Sequence, residues 1–377
     1  MDYKVNFINN SYKRFFKAHK KEIVGVFVEC ASKGDFMLRD QTREFERRLV
    51  DYIGVKYAVG MNSCTDAMFL SLKALGVGPG DEVITVAHTF IATIQAIVHT
   101  GAAPILVDVG KDELMDMDKV RKAITPNTKV ILPVHFHGKV CDMNKLWKIV
   151  SEADHKIFVV EDAAQALGAN YNNRRAGSFG DTGCFSFNFP KLMGAYGDAG
   201  AVVTDNEELF KKLLLLRNHW NITQGSVKQE DYPQPEEMGW GWKSRIDNIQ
   251  AAILNVKFKY LDETLDRRKE IGRRYTEAFR DLPIEIPEYP EGSVTQEYIV
   301  KVEDQKAFKD FMDKKGIELL IRDTIPNHKL KGLGLDHFNL PNTEELAKKA
   351  VRIPIYPELT DREVGTIIKS VREYYGK

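Results

Sequence analysis

One lysine stands in an unusual setting. In "SFNFPKLMGAYGDAG", residues 186–200, Lys191 lies between an aromatic run and a loop with three glycines. Glycines there bring the backbone close to something. A lysine amine kept neutral by desolvation or by nearby cations can attack a carbonyl carbon and form a Schiff base. The plain alternative is a solvated surface charge, which holds for nearly all lysines. Ser186, at the start of the same stretch, offers a hydroxyl suited to a phosphate.

Three other short stretches carry comparable chemistry. In "NSCTDAM", Asn62, Ser63, Cys64 and Thr65 sit where a strand turns into a helix. The free N–H groups and the helix dipole make such a turn an anion site, although a simple N-cap explains the same residues. In "KIFVVEDAAQ", Glu161 and Asp162 close a buried strand, with Gln165 three residues beyond. An unpaired buried carboxylate is costly, so each needs a partner. A protonated heterocycle nitrogen is one such partner and a structural ion pair is the other. In "VITVAHTF", His88, Thr89 and Phe90 follow a strand. Phe90 can stack on a flat ring, although aromatics near strand ends more often belong to a core.

Together these residues supply a phosphate cup, a ring stacker, a carboxylate for a ring nitrogen and a lysine for an aldehyde. Those are the four handles by which pyridoxal 5′-phosphate (PLP) is held.

The elements that must position them follow from the pattern between Lys56 and Asp205. Seven short runs read as strands: "KYAVGM", "DEVITVA", "APILVDV", "TKVILPVHF", "KIFVVEDA", "GCFSFN" and "GAVVTD". Several are continuously apolar, as in a sheet buried on both faces. Between them lie helical patterns such as "DAMFLSLKALG", "IATIQAIVHTG" and "DMNKLWKIVSEADHK", often ending near glycine. This alternation predicts an α/β protein with a large, mainly parallel sheet, and ligands collect at the carboxyl ends of its strands. After Thr204 come the helix "NEELFKKLLLLRNHW", a long polar loop from Asn221 to Ser244, and the helical region "RIDNIQAAILNVKFKYLDETLDRRKEIGRRYTEAFRDL". A loop of that length is usually functional or mobile. The remainder mixes strands and helices, "QEYIVKVED" being the clearest strand. The expected division is a large domain over residues 1–250 and a smaller α+β domain over 251–377, with the N-terminal segment packed on the large domain or on a neighbour.

Composition narrows the class. The 377 residues carry 54 basic and 54 acidic side chains, so the formal net charge is zero. That balance gives no electrostatic case for nucleic-acid or membrane partners. Cys30, Cys64, Cys141 and Cys184 are scattered, without zinc spacing and too few for a disulfide scaffold, so no metal site is expected and a reduced, cytoplasmic protein is. No stretch is long and apolar enough to span a bilayer, and the N-terminus is too polar for a signal peptide.

Taken in order, "DYIGVKYAVGMNSCTDAMFLSLKALGVGPGDEVITVAHTFIAT", "VEDAAQALGANYNNRRAGSFGDTGCFSFNFPKLMGAYGDAGAVVTDN", "WKSRIDNIQAAIL" and "VRIPIYPELT" resemble the DegT/DnrJ/EryC1/StrS family of PLP-dependent nucleotide-sugar aminotransferases, over nearly the whole chain. The resemblance implies an aspartate-aminotransferase-like (fold type I) architecture and a homodimer with shared active sites. It makes Lys191 the Schiff-base lysine, Asp162 the partner of the pyridinium nitrogen and Gln165 the neighbour of the ring hydroxyl. Phe90 becomes the stacking aromatic, and Ser63, Cys64, Thr65 and Ser186 the phosphate cup. His219 matches a histidine near the sugar.

Three departures stand out. Cys64 replaces a usual glycine. Lys243 replaces an asparagine that reaches the cofactor phosphate of the neighbouring subunit, a role a lysine can fill as a point charge or lose to solvent. Gln296 and Glu297 stand where a histidine often precedes the "YIV" strand, which leaves His328 as a substrate-contact candidate in that domain. Retention of Lys191, which related sugar dehydratases replace with histidine, argues for transamination. The expected substrates are L-glutamate and a nucleotide-linked keto sugar. "GAYGDAGAVVT" is closer to enzymes that aminate carbon 3, so a dTDP-3-keto-6-deoxyhexose is favoured. Amination at carbon 4 of a UDP- or dTDP-linked sugar is the alternative. A PLP-binding regulator without sugar chemistry is a further one, although no basic stretch or added DNA-binding module accompanies it.

Overall fold

The structure, a computed structural model, describes residues 3–221 and 239–377. Most of the predicted polar loop, residues 222–238, lies outside the described residues.

Two helices lead in: α1 (Asn9–Lys33) and α2 (Asp40–Ile53). The chain then alternates as predicted. The elements are β1 (Tyr57–Met61), α3 (Cys64–Ala74), β2 (Glu82–Val86), α4 (Ala92–Val98), β3 (Ala103–Val107), α5 (Met117–Ala123), β4 (Thr128–Ile131), α6 (Met143–Ser151) and β5 (Phe158–Asp162). A small hairpin, β6 (Asn170–Tyr171) and β7 (Arg174–Arg175), precedes β8 (Thr182–Ser186), β9 (Gly200–Thr204) and α7 (Glu207–Leu216). All seven strands expected from the apolar runs form one sheet, in the order β1-β9-β8-β5-β4-β2-β3. The pairings from β3 through β8 are parallel, and β9 is antiparallel to both β8 and β1. β9 is therefore the one reversed strand of this sheet, and its first residue lies at the edge where the other strands end.

The sheet is covered on both faces, which is why its strands need apolar side chains in both directions. One core gathers α3, α6 and α7 residues such as Leu70, Leu146 and Leu213 around Val83, Ile131 and Val159. The second sets Phe45 and Leu49 of α2 against Phe185, Phe187 and Val203. Each such side chain contributes about 1.5–3 kcal/mol by leaving water.

The helical region after residue 245 is interrupted at Lys259 and Tyr260, giving α8 (Asn248–Phe258) and α9 (Leu261–Phe279). The apolar cores meet on α9. Its Leu261 and Leu265 join the sheet core, while Ile271, Tyr275 and Phe279 join a third core. That third core belongs to β10 (Tyr298–Lys301), α10 (Gln305–Lys314), β11 (Ala350–Ile353) and α12 (Asp361–Tyr374), with α11 (Pro341–Lys349) alongside. β10 and β11 pair antiparallel. α8 packs on α1 and α2, and α9 carries residues of both the sheet core and the third core. The N-terminal segment serves both units: Val5 enters the third core and bridges Ile317, and Ile23 of α1 packs on Ile253 and Val256 of α8.

Candidate active site

The strand ends converge as the parallel order requires. Met61 of β1 leads to the α3 turn, Val86 of β2 to His88–Phe90, Asp162 ends β5 and Ser186 ends β8.

Adjacent residues of a strand point to opposite faces, so Glu161 and Asp162 cannot share a role. Glu161 is fully buried. Its oxygens accept the N–H groups of Gly177 at 2.7 Å, Phe179 at 2.6 Å and Gly180 at 2.6 Å. His135 Nε2 lies 2.8 Å from the same carboxylate, and the Cys141 N–H donates to His135 Nδ1 at 3.2 Å. That second bond fixes the Nε2–H tautomer, so His135 donates to Glu161. Glu161 is thus the structural acid, tying the 177–180 loop to the sheet. Glu161→Ala is expected to lower stability by about 3–5 kcal/mol, because it strands several buried donors. A reduced urea midpoint of unfolding measures this.

Asp162 faces the other way. Its Oδ2 accepts the Thr93 hydroxyl at 2.8 Å, Thr93 is itself bonded to Thr89 at 2.7 Å, and Oδ1 accepts the Ala164 N–H at 3.1 Å. Two neutral donors orient the carboxylate without neutralising it, which leaves it able to accept from a cationic N–H. Gln165 Oε1 accepts the His137 N–H at 2.8 Å.

Lys191 is half-buried in the loop after β8. Desolvation pulls its ammonium pKa below the ordinary lysine value. The negative charges of Glu297 and Asp162 oppose that pull, and the Arg322 guanidinium adds to it. These are the conditions for a reactive amine, and they place Asp162 and Glu297 in its electrostatic surroundings.

The α3 turn has the form of an anion cup. Ser63 is extended, at φ −156° and ψ 164°, and its hydroxyl accepts the Asp66 N–H at 3.1 Å. The hydroxyl hydrogen stays available to a ligand. The first N–H groups of the helix, from Cys64 and Thr65, have no intrahelical acceptor. Gly200 presses against this turn: a Cβ there would lie 2.3 Å from the Ser63 carbonyl carbon and 2.5 Å from the Cys64 nitrogen. The Cys64 thiol is buried, and desolvation raises its pKa well above the ordinary value, so it stays protonated and adds no charge beside a phosphate. Ser186 is half-buried at the end of β8 and accepts the Asn188 N–H at 3.4 Å. Phe90 is 65% exposed, an aromatic face left open beside the Asp162 network.

The remaining expected residues have more varied settings. Lys243 is exposed in a surface recess with Asn62, Asp198 and Arg245, next to the α3 turn. His219 is exposed, has φ +57° and donates its N–H to the Trp242 carbonyl at 2.9 Å. His328 is fully buried, with Nε2 3.1 Å from Glu344. Asn327, its neighbour, is the residue of that turn that reaches the strand ends: its Nδ2 donates to the Ala87 and Thr89 carbonyls at 3.0 and 2.7 Å.

One cluster escaped sequence reasoning. Glu297 is held between His137 Nδ1 and Arg352 Nε, each at 3.1 Å, and His137 Nε2 lies 3.3 Å from His88 Nε2. Burial alone would raise the Glu297 pKa, but Arg352 and His137 hold it well below the carboxylate range. Desolvation lowers both histidines. Neutral His137 therefore donates through Nδ1 to Glu297, and its Nε2 accepts from His88. His137 has φ +58°, and Gly138 beside it takes φ +90° where a Cβ would strike the Val294 carbonyl oxygen. The departure at 296–297 was visible in the sequence, but its partners come from three distant segments.

A mainly parallel sheet with a lysine and an acid near its strand ends, a helix start with free N–H groups beside them and a smaller α+β unit packed on α9 define an aminotransferase-like enzyme fold. The match to the DegT/DnrJ/EryC1/StrS aminotransferase family model extends over residues 17–372, and the chain belongs to this family. A UDP-N-acetyl-3-dehydro-alpha-D-glucosamine 3-aminotransferase from Acidithiobacillus ferrooxidans is 36% identical, covering 95% of each chain. A dTDP-3-amino-3,6-dideoxy-alpha-D-galactopyranose transaminase from Aneurinibacillus thermoaerophilus is also 36% identical, covering 94% of this chain and 96% of that one. The crystal structure of NtdA from Bacillus subtilis with bound cofactor PMP superimposes with a TM-score of 0.87 at 31% identity, covering 96% of this chain and 82% of that one. The fold class expected from the strand pattern is the one observed.

Proposed function

We propose that the protein is a PLP-dependent aminotransferase that moves an amino group from L-glutamate to a nucleotide-linked keto sugar, with carbon 3 of a dTDP-3-keto-6-deoxyhexose as the acceptor. The observation that carries this reading is the depressed Lys191 amine with the oriented Asp162 carboxylate in its surroundings.

The site residues fit the cofactor. The α3 turn, with Ser63, Cys64 and Thr65, and the Ser186 hydroxyl suit a phosphate dianion. Phe90 offers an open face to a ring, and Asp162 accepts from a protonated ring nitrogen. When bound, PLP supplies an aldehyde that carries the amino group between substrates and a ring that accepts electrons from the reacting carbon. Lys191, deprotonated, would take the proton from the α-carbon of the donor and pass it to the cofactor within the first half-reaction, and in the second would move a proton in the opposite sense, from the cofactor to the sugar carbon. Asp162 keeps the ring nitrogen protonated by holding a negative charge beside it. Gln165, fixed by the His137 N–H, limits the site on the side of the ring hydroxyl. Lys243 stands beside the cup on the outer surface, where in a homodimer it would reach a phosphate. His219 is carried as a sugar-side residue. His328, enclosed with Glu344, is assigned a structural role, and Asn327 takes its place at the site.

Support for carbon 3 comes from "GAYGDAGAVVT" and from the position named for both relatives. Their nucleotides differ, so dTDP is the finer part of the proposal. The four cysteines are free and buried, as a reducing cytoplasm would allow, and no helix among the described residues is long and apolar enough to cross a membrane.

The test is the absorbance of purified protein with PLP, recorded before and after L-glutamate and then after dTDP-3-keto-6-deoxyglucose. A visible band that bleaches with glutamate and returns with the keto sugar is expected. Bleaching without return would remove this sugar and turn the search to carbon-4 substrates. A protein that gives no band with PLP would not be this enzyme.

A further inference from the structure

Lys191 sits in a loop without regular structure, between the end of β8 and the start of β9. Its own backbone N–H makes a single turn bond, to the Asn188 carbonyl at 3.0 Å. What fixes the backbone on either side of it is one side chain from the small domain. Gln296 Oε1 accepts the Leu192 N–H at 3.1 Å, and Gln296 Nε2 donates to the Pro190 carbonyl at 3.3 Å. Each end of the amide meets the complementary group, so the partners themselves settle its orientation. One carboxamide therefore spans the lysine, holding the residue before it and the residue after it.

Gln296 is itself immobilised. It is 7% exposed, and its carbonyl accepts from Arg268 Nη1 at 3.1 Å. The same nitrogen reaches the Thr295 carbonyl at 3.4 Å and the Ile355 carbonyl at 3.0 Å. Arg268 is 3% exposed; desolvation lowers its pKa to about 10, which leaves it charged at neutral pH. Two residues upstream, the Val294 N–H donates to the Gly138 carbonyl at 2.9 Å, next to His137. A chain of contacts thus runs from α9 through Gln296 to both peptide groups flanking Lys191.

We propose that Gln296 is a positioning residue for Lys191, coupling the placement of the small domain to the direction of the reactive amine. The proposal rests on the aminotransferase reading above. A lysine amine at the end of four rotatable bonds transfers protons well only from a narrow range of positions. Removing the amide frees the Cα from which those bonds start. A displacement of about 1 Å at a reacting group can cost roughly a hundredfold in rate. The effect falls on turnover and on the protonation of the amine, and leaves substrate binding alone.

The test uses the full chain loaded with PLP and compares wild type with Gln296→Met, which keeps the volume without the amide, and Gln296→Asn, which keeps an amide too short to span both partners. Three quantities are read: the rate of band bleaching by saturating L-glutamate, its KM, and the pH midpoint of the cofactor absorbance change. Both variants are expected to bleach about 10- to 100-fold more slowly, with KM within about twofold of wild type, and to show a displaced midpoint. A merely structural role would leave the midpoint in place. Wild-type rate and midpoint in either variant overturn the proposal. If the wild-type protein itself forms no band, or its band ignores every amino donor, the aminotransferase reading falls first, which separates the two failures.

Discussion

Lys191→Ala is expected to abolish turnover, by roughly 10⁴-fold or more, through loss of the group that moves the proton. The fold should not suffer. The ammonium is desolvated and, among the described residues, no bond of its nitrogen holds another element, so the melting temperature should stay level or rise slightly. Two measurements check the result. Borohydride treatment of PLP-loaded wild type should fix the cofactor to the peptide containing Lys191, seen as a mass increase, and the variant should show none. Glutamate turnover should disappear in parallel. A variant that keeps near-normal turnover would remove Lys191 from the chemistry. A variant that unfolds would show the lysine to be a packing residue.

Asp162→Asn is the second large effect. The substitution keeps the shape and retains an acceptor for Thr93 or Ala164. It removes the negative charge that holds a proton on the ring nitrogen. In a water-poor site such a charge acts on the reacting system far more strongly than in water, and loss of one preorganised group of this kind costs about 10²–10³-fold in kcat. The expected result is a folded protein that still binds PLP, with glutamate KM little changed and kcat reduced by that factor. The same substitution at Glu161 should behave oppositely, weakening the fold while sparing the chemistry of molecules that remain folded. That contrast between neighbours tests the assignment of one acid to structure and the other to catalysis.

Much of this was legible along the chain. The seven apolar runs became the seven strands of the sheet. Runs apolar in both directions demand cover on two faces, and the alternating helical patterns supply it. Once the order is mainly parallel, strand ends gather on one edge. The positions of Ser63, Phe90, Asp162 and Ser186 therefore followed from local pattern and one topological rule. The turn into α3 was equally readable, because an N-cap serine and free helix N–H groups are local features. The break between α8 and α9 was not, since the residues at Lys259 and Tyr260 carry no proline or glycine to mark it.

What only the tertiary structure decided is which of several equivalent side chains faces the site. The sequence itself determined that Glu161 and Asp162 diverge, since side chains alternate along a strand. Which of them meets the 177–180 loop depended on how that loop folds back. In the same way His328 turned inward to Glu344 while Asn327 turned to Ala87 and Thr89. The hold of Gln296 on the Lys191 loop joins residues 106 and 104 positions apart, and the His88–His137–Glu297–Arg352 series joins four segments. Local propensity says nothing about such pairings. They arise when the small domain buries its own core against α9, and the polar groups carried into the interface must then find partners or pay the full cost of desolvation.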